Sequence, residues 1–137
     1  YYFGRGHTGG GAWGGFPSLR VMHAGDMFPG KQVPVLDANN GGSGVAFSET
    51  LMKSHATLTD IDTIITGHST QMTRDDLREF AGFMRDFVAA IREAKESGQS
   101  VDDIANAWDI PSRYTGYTKP NAEGLSPWVQ VIYDELP

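Results

Sequence analysis

Three times before residue 70, a strand-like run of this chain stops at a glycine followed by a side chain able to ligate a metal. The junctions are Gly6-His7, Gly25-Asp26 and Gly67-His68. Strand ends are where α/β layers collect their ligand sites, and a neighbouring glycine lets backbone and side chain come close to a common centre. Beyond Thr73 the pattern changes to the three- and four-residue apolar spacing of helices. This pairing predicts an α/β fold: a small sheet covered by helices, followed by a helical C-terminal part. The change of character divides the chain into residues 1–72 and residues 73–137, two parts of one domain, which suits 137 residues.

The strand signals are short. Tyr1–Phe3 is strand-like and halts at Gly4. Phe16–His23 alternates Leu19, Val21 and His23 with Ser18, Arg20 and Met22, which predicts a strand with Leu19, Val21 and His23 on its covered face. Ile61–Thr66 is β-branched at nearly every position and reads as a strand covered on both faces. Between them, Met27–Gly44 is a proline- and glycine-rich loop. A helix is expected over Val45–His55, burying Val45, Leu51 and Met52.

The helical part has clearer punctuation. Thr73 is an N-cap candidate with Asp75 and Asp76 in the first turn, and Leu77, Phe80, Met84, Phe87, Val88 and Ile91 form one apolar stripe. Gly98 is a natural stop. Ser100 caps a second helix carrying Val101, Ile104, Ala105 and Trp108, and Pro111 lies beyond it. Ser126-Pro127 reads as the start of a last helix with Trp128, Val131, Ile132 and Leu136 on one side.

Composition narrows the function. Apolar residues make up 39% and charged residues 20%, a globular balance. The formal charge is −6, which argues against nucleic acid as a partner. No apolar run approaches the roughly 20 residues of a membrane span, so no membrane partner is expected. No signal peptide is visible, and the composition suits cytoplasm and periplasm alike. The chain has no cysteine, so a metal site here must use His and carboxylate. His7, Asp26 and His68 are such a set, suited to zinc, with Fe or Mn as other candidates.

The contexts of these three residues are informative together. Gly-His7-Thr8-Gly, then Ala-Gly-Asp26, then Thr-Gly-His68-Ser69 resembles the last three ligand motifs of the metallo-β-lactamase superfamily. The spacings, 19 residues from His7 to Asp26 and 42 from Asp26 to His68, fit as well. The resemblance spans about residues 1–75, and the helical tail is similar to an extension of some bacterial members. The run Gly9-Gly10-Gly11 departs from the pattern, which commonly has an acidic residue there.

The resemblance implies half of an αβ/βα sandwich with two metals, normally zinc, at one edge of the sheets. It implies that His7 serves the first metal, Asp26 bridges both and His68 serves the second, with a metal-held water as nucleophile and no other catalytic side chain. The activity implied is hydrolysis of an amide, ester, thioester or phosphoester in a small-molecule substrate. The upstream His-x-His-x-Asp-His motif of that family does not occur in the chain, which opens inside a strand-like run. The expectation is a C-terminal half that binds metal weakly and is inactive alone. The alternative is a non-catalytic half-domain that associates with its missing half or dimerises, because half a sandwich leaves an apolar sheet face to cover.

Other residues carry secondary readings. His23 either orients Asp26 through hydrogen bonds or is a satisfied core histidine; Thr8 and Ser69 are further candidates for orienting ligands. His55 suits a helix C-terminus as an imidazolium. Asn39–Gly44 is either an anion cradle or a plain connector. Trp13, Phe28 and Trp108 line a pocket or fill the core.

Overall fold

The computed structural model describes residues 1–137. Three short strands, β1 (Gly14–Phe16), β2 (Val21–Gly25) and β3 (Thr63–Thr66), form one sheet in the order β1-β2-β3. β1 and β2 are antiparallel; β2 and β3 are parallel and joined through helix α1 (Gly44–Thr57). Three further helices follow: α2 (Arg74–Glu96), α3 (Val101–Ala107) and α4 (Ala122–Glu135).

The expected strand Phe16–His23 is two strands. Pro17 starts a 3-10 turn through Leu19, and Arg20 takes the left-handed conformation at its end. That turn resets the alternation. Met22 and Ala24 are the buried residues of β2, whereas Leu19 and His23 are exposed and Val21 is half-buried. Tyr1–Phe3 makes only an isolated bridge, Tyr2 to Ala12.

One sheet face packs into the core through Met22, Ala24 and Ile64. The opposite face carries Phe16, Val21, His23, Thr63 and Ile65, in register across the three strands. Phe16 is 50% exposed and Ile65 37%, so β3 is covered on one face, not two. A run of β-branched residues reports strand propensity; it does not report how many layers lie against the strand.

α1 also turns differently from expectation. Its core residues are Phe47, Leu51 and Ser54, while Val45 and Met52 are exposed. Ser43 caps it, accepting from the Ala46 amide at 3.0 Å, and the Val45 amide donates to Glu135 at 3.1 Å. The start of α1 is thus satisfied within the chain. Arg5 meanwhile donates to the carbonyls of Gly41 and Gly42 at 2.7 and 3.1 Å. Asn39–Gly44 is therefore a tied connector, not an anion cradle.

α2 is the central beam. Thr73 and Asp76 form a reciprocal capping box, and Leu77, Phe80, Met84, Phe87, Val88 and Ile91 are buried as the stripe predicts. Phe83 sits at the middle of an aromatic cluster, stacked on Tyr117 at 4.5 Å and edge-on to Tyr114 at 5.2 Å and Trp108 at 6.3 Å. Trp13 and Phe28 are core residues, and Trp108 is partly buried against the core, beside Phe83 and Phe87. Ser100 caps α3 with its own capping box, and Trp108 is that helix's C-terminal cap.

The last helix begins earlier than Ser126-Pro127 suggests. Asn121 is the cap, accepting from the Gly124 amide at 2.9 Å, and Pro127 lies inside the helix. The buried positions are Leu125, Val129, Ile132 and Leu136; Trp128 and Val131 are only half-buried. Lys95 ties α2 to this helix by donating to the carbonyls of Tyr133 and Leu136 at 2.7 and 2.8 Å. No helix is long and apolar enough to cross a membrane.

Candidate metal site

Parallel pairing places the C-terminal ends of β2 and β3 side by side, with Gly25 opposite Thr66. Asp26 and His68 follow those ends. Gly25 turns the chain with φ +52°, a left-handed conformation that favours glycine. Gly67 is required by space: a Cβ there would collide with Asp26 Oδ1 and lie 2.8 Å from the Gly25 carbonyl oxygen. The Gly67 and His68 amides donate to Phe28 and Pro29 at 3.2 and 3.1 Å, which fastens the Met27–Gly30 turn beneath the pair.

His7 arrives from a different part of the chain. Its carbonyl accepts from the Asp37 amide at 2.9 Å, and the Gly6 carbonyl from Ser43 at 2.8 Å. Its Nδ1 meets the Val35 carbonyl at 2.8 Å. A carbonyl can only accept, so Nδ1 carries the proton, and neutral His7 presents a free lone pair at Nε2.

The three residues converge. His7 Nε2 lies 3.5 Å from Asp26 Oδ2, and His68 Nε2 lies 2.8 Å from Asp26 Oδ1. Each carboxylate oxygen faces a different imidazole. Donors on a common tetrahedral zinc stand about 3.4 Å apart, given the usual Zn–N and Zn–O lengths. The His7–Asp26 separation matches that spacing, while the His68–Asp26 contact, at 2.8 Å, is shorter. No set of three or more His, Asp or Glu side chains closes on one point as a metal cluster. The contacts form two pairs that share Asp26, His7 with Oδ2 and His68 with Oδ1. With Pro29, Gln32 and Val35 they line a cavity of about 250 Å³.

The other sequence candidates lie elsewhere. His23 is exposed on the open sheet face, and its Nδ1 accepts from the Gly25 amide at 3.1 Å. It is neither a core histidine nor a partner of Asp26. Thr8 Oγ1 accepts from the Gly10 amide at 3.3 Å. Ser69 packs against Gly30, its amide bonded to Thr66 Oγ1 at 3.1 Å. Neither is bonded to a ligand candidate. Burial, then the charges of Arg74 and Arg78, hold His55 below the usual imidazole range, which disfavours the imidazolium expected there. Sequence reading missed Val35 and Gln32. Val35 acts through its carbonyl, which leaves no mark on residue type.

The fold has counterparts among solved structures. The chain is similar to a metallo-β-lactamase from Erythrobacter litoralis, with a TM-score of 0.53 and 20% identity over 63% of this chain and 38% of that one. It is also similar to a stereoselective inverting sec-alkylsulfatase from Pseudomonas sp., with a TM-score of 0.70 and 16% identity over 98% of this chain and 23% of that one. The chain carries part of the metallo-β-lactamase fold. A double mutant of the same sulfatase matches equally well. The chain spans less than half the length of each of these proteins. No family model and no curated protein matches it. At these identities the metallo-β-lactamase likeness speaks for the fold alone, and the site rests on its own distances.

Proposed function

We propose that this chain supplies the His7–Asp26–His68 part of a metal-dependent hydrolase acting on a small-molecule amide, ester, thioester or phosphoester. One observation carries the reading: two imidazoles meet the two oxygens of one carboxylate, at 3.5 and 2.8 Å, beside the ends of adjacent parallel strands. His7 and Asp26 would hold one ion, and Asp26 and His68 a second, with zinc the best match to nitrogen and oxygen donors and no thiolate. A metal bound there supplies a Lewis acid that lowers the pKa of water and polarises the scissile bond. The protein's own part is orientation. The Val35 carbonyl fixes the His7 tautomer, and the tight turn at Gly67 keeps Asp26 against His68.

Two protein donors per ion are fewer than the usual three of a catalytic zinc, so further ligands must complete each set. Zinc titration of this chain by calorimetry is expected to show binding weaker than about 1 μM. His7→Ala, Asp26→Ala and His68→Ala are each expected to reduce that heat. Variants that titrate like the parent would sink the metal reading. Sub-micromolar binding by the parent would show that the chain needs no further ligands.

The second reading, a half-domain that functions by association, is favoured by the open sheet face carrying Phe16, Val21 and Ile65.

A further inference from the structure

A second cavity adjoins the site cavity. The two share His7 and Val35, and the second, about 370 Å³, runs from them over Leu36 to Trp128 and Val131 on α4. The wall is built from residues that the core leaves over. Val129 and Ile132 of α4 are fully buried, while Trp128 and Val131, one turn apart, stay half-buried and face this space. Across from them Val35 is 45% exposed, although its carbonyl is held by His7. The wall is fixed: Glu135 is tied to the Val45 amide, and Lys95 to the carbonyls of Tyr133 and Leu136.

No lysine or arginine lines this second cavity, and its one acidic residue is Asp37. Asp37 is occupied in capping the turn at Ala38–Asn40, accepting from Asn40 Nδ2 at 2.7 Å. An anionic tail would meet no cation here and would face a carboxylate. The space suits part of a small molecule, and a protein partner would need roughly 800 Å² of contact surface on this side.

We propose that this groove binds a neutral, apolar alkyl or aryl group of the substrate whose scissile bond lies at His7, Asp26 and His68. The proposal deepens the hydrolase reading and rests on it for the word substrate, but the groove itself is testable without metal. Trp128 and Val131 determine how long and how apolar that group is.

The test uses the metal-free chain, labelled with ¹⁵N and titrated with 1-butanol, 1-hexanol and 1-octanol. Shifts of the Trp128 indole and of the His7 and Val35 amides report the groove. Each added CH2 that enters should tighten binding about two- to fourfold, as expected for about 0.8 kcal/mol per fully buried CH2. Val131→Asn and the more exposed Val35→Ser should each flatten that gradient, and circular dichroism reports whether each has folded. The proposal is overturned if affinity does not depend on chain length. It is equally overturned if the gradient survives in both folded variants, or if the shifts map to Phe16, Val21 and Ile65 instead. Zinc calorimetry is a separate arm: loss of zinc binding alone overturns the hydrolase reading, while the alcohol gradient continues to report on the groove.

Discussion

His7 Nδ1 and the Val35 carbonyl lie 2.8 Å apart, and this single contact decides which nitrogen of His7 faces Asp26. Neutral His7 is therefore expected as the Nδ1–H tautomer. Long-range ¹H–¹⁵N correlation at neutral or mildly alkaline pH should show a protonated Nδ1 and a bare Nε2. The reverse pattern would remove His7 from the proposed ligand set.

Gly67 stands where Asp26 Oδ1 and the Gly25 carbonyl leave no room for a Cβ. Gly67→Ala must push β3 and the Asp26 turn apart. Overpacking of this kind costs about 1–3 kcal/mol. Urea unfolding should show that loss, and zinc binding should fall with it. Full stability with full zinc binding would mean that the turn relaxes freely.

Asp86 gives a pH prediction. Burial pushes its carboxyl up, but hydrogen bonds from Tyr114, Arg113 and Arg85 outweigh that and hold it below the usual carboxylate range. A depressed folded-state pKa contributes stability above the unfolded value of about 4, and loses it as pH falls through the folded value. Asp86→Asn should cost about 1–3 kcal/mol at pH 7. The gap between parent and variant should narrow as pH drops below about 4. A gap independent of pH in thermal melts would assign the effect to shape and not to charge.

Phe83 packs against five aromatic rings, those of Phe80, Phe87, Trp108, Tyr114 and Tyr117. Phe83→Ala should cost about 3–5 kcal/mol, enough to populate the unfolded state in a small domain. Its urea midpoint should fall sharply, while Phe16→Ala, on the open sheet face, should barely move it.

The open face itself predicts association. Phe16 and Ile65 are exposed on this face and flank the half-buried Val21 across the three strands. Sedimentation at rising concentration should show self-association, and Ile65→Lys should weaken it. A parent that stays monomeric throughout would count against the associating half-domain.

Legibility followed the range of the forces involved. The caps at Thr73 and Ser100 and the stripe Leu77–Ile91 were readable because a cap and a 3.6-residue period act within a few residues. The glycine–ligand junctions were readable for the same reason: Gly25 and Gly67 answer to turns and clashes with near neighbours. Where a local signal had a stronger local competitor, it misled. Pro17 and Arg20 broke one expected strand in two, and Asn121 started α4 ahead of Ser126-Pro127.

What the sequence by itself determined was the kind of residue at each junction, the α/β class and the central helix. Tertiary structure decided the rest. It set which face of β2 is buried, which imidazole meets which oxygen of Asp26, and that a carbonyl 28 residues away orients His7. It also left Trp128 and Val131 beside the site. These outcomes depend on packing between segments distant in sequence and on backbone groups that every residue carries. Neither is encoded in the identity of a side chain or in its spacing from the next.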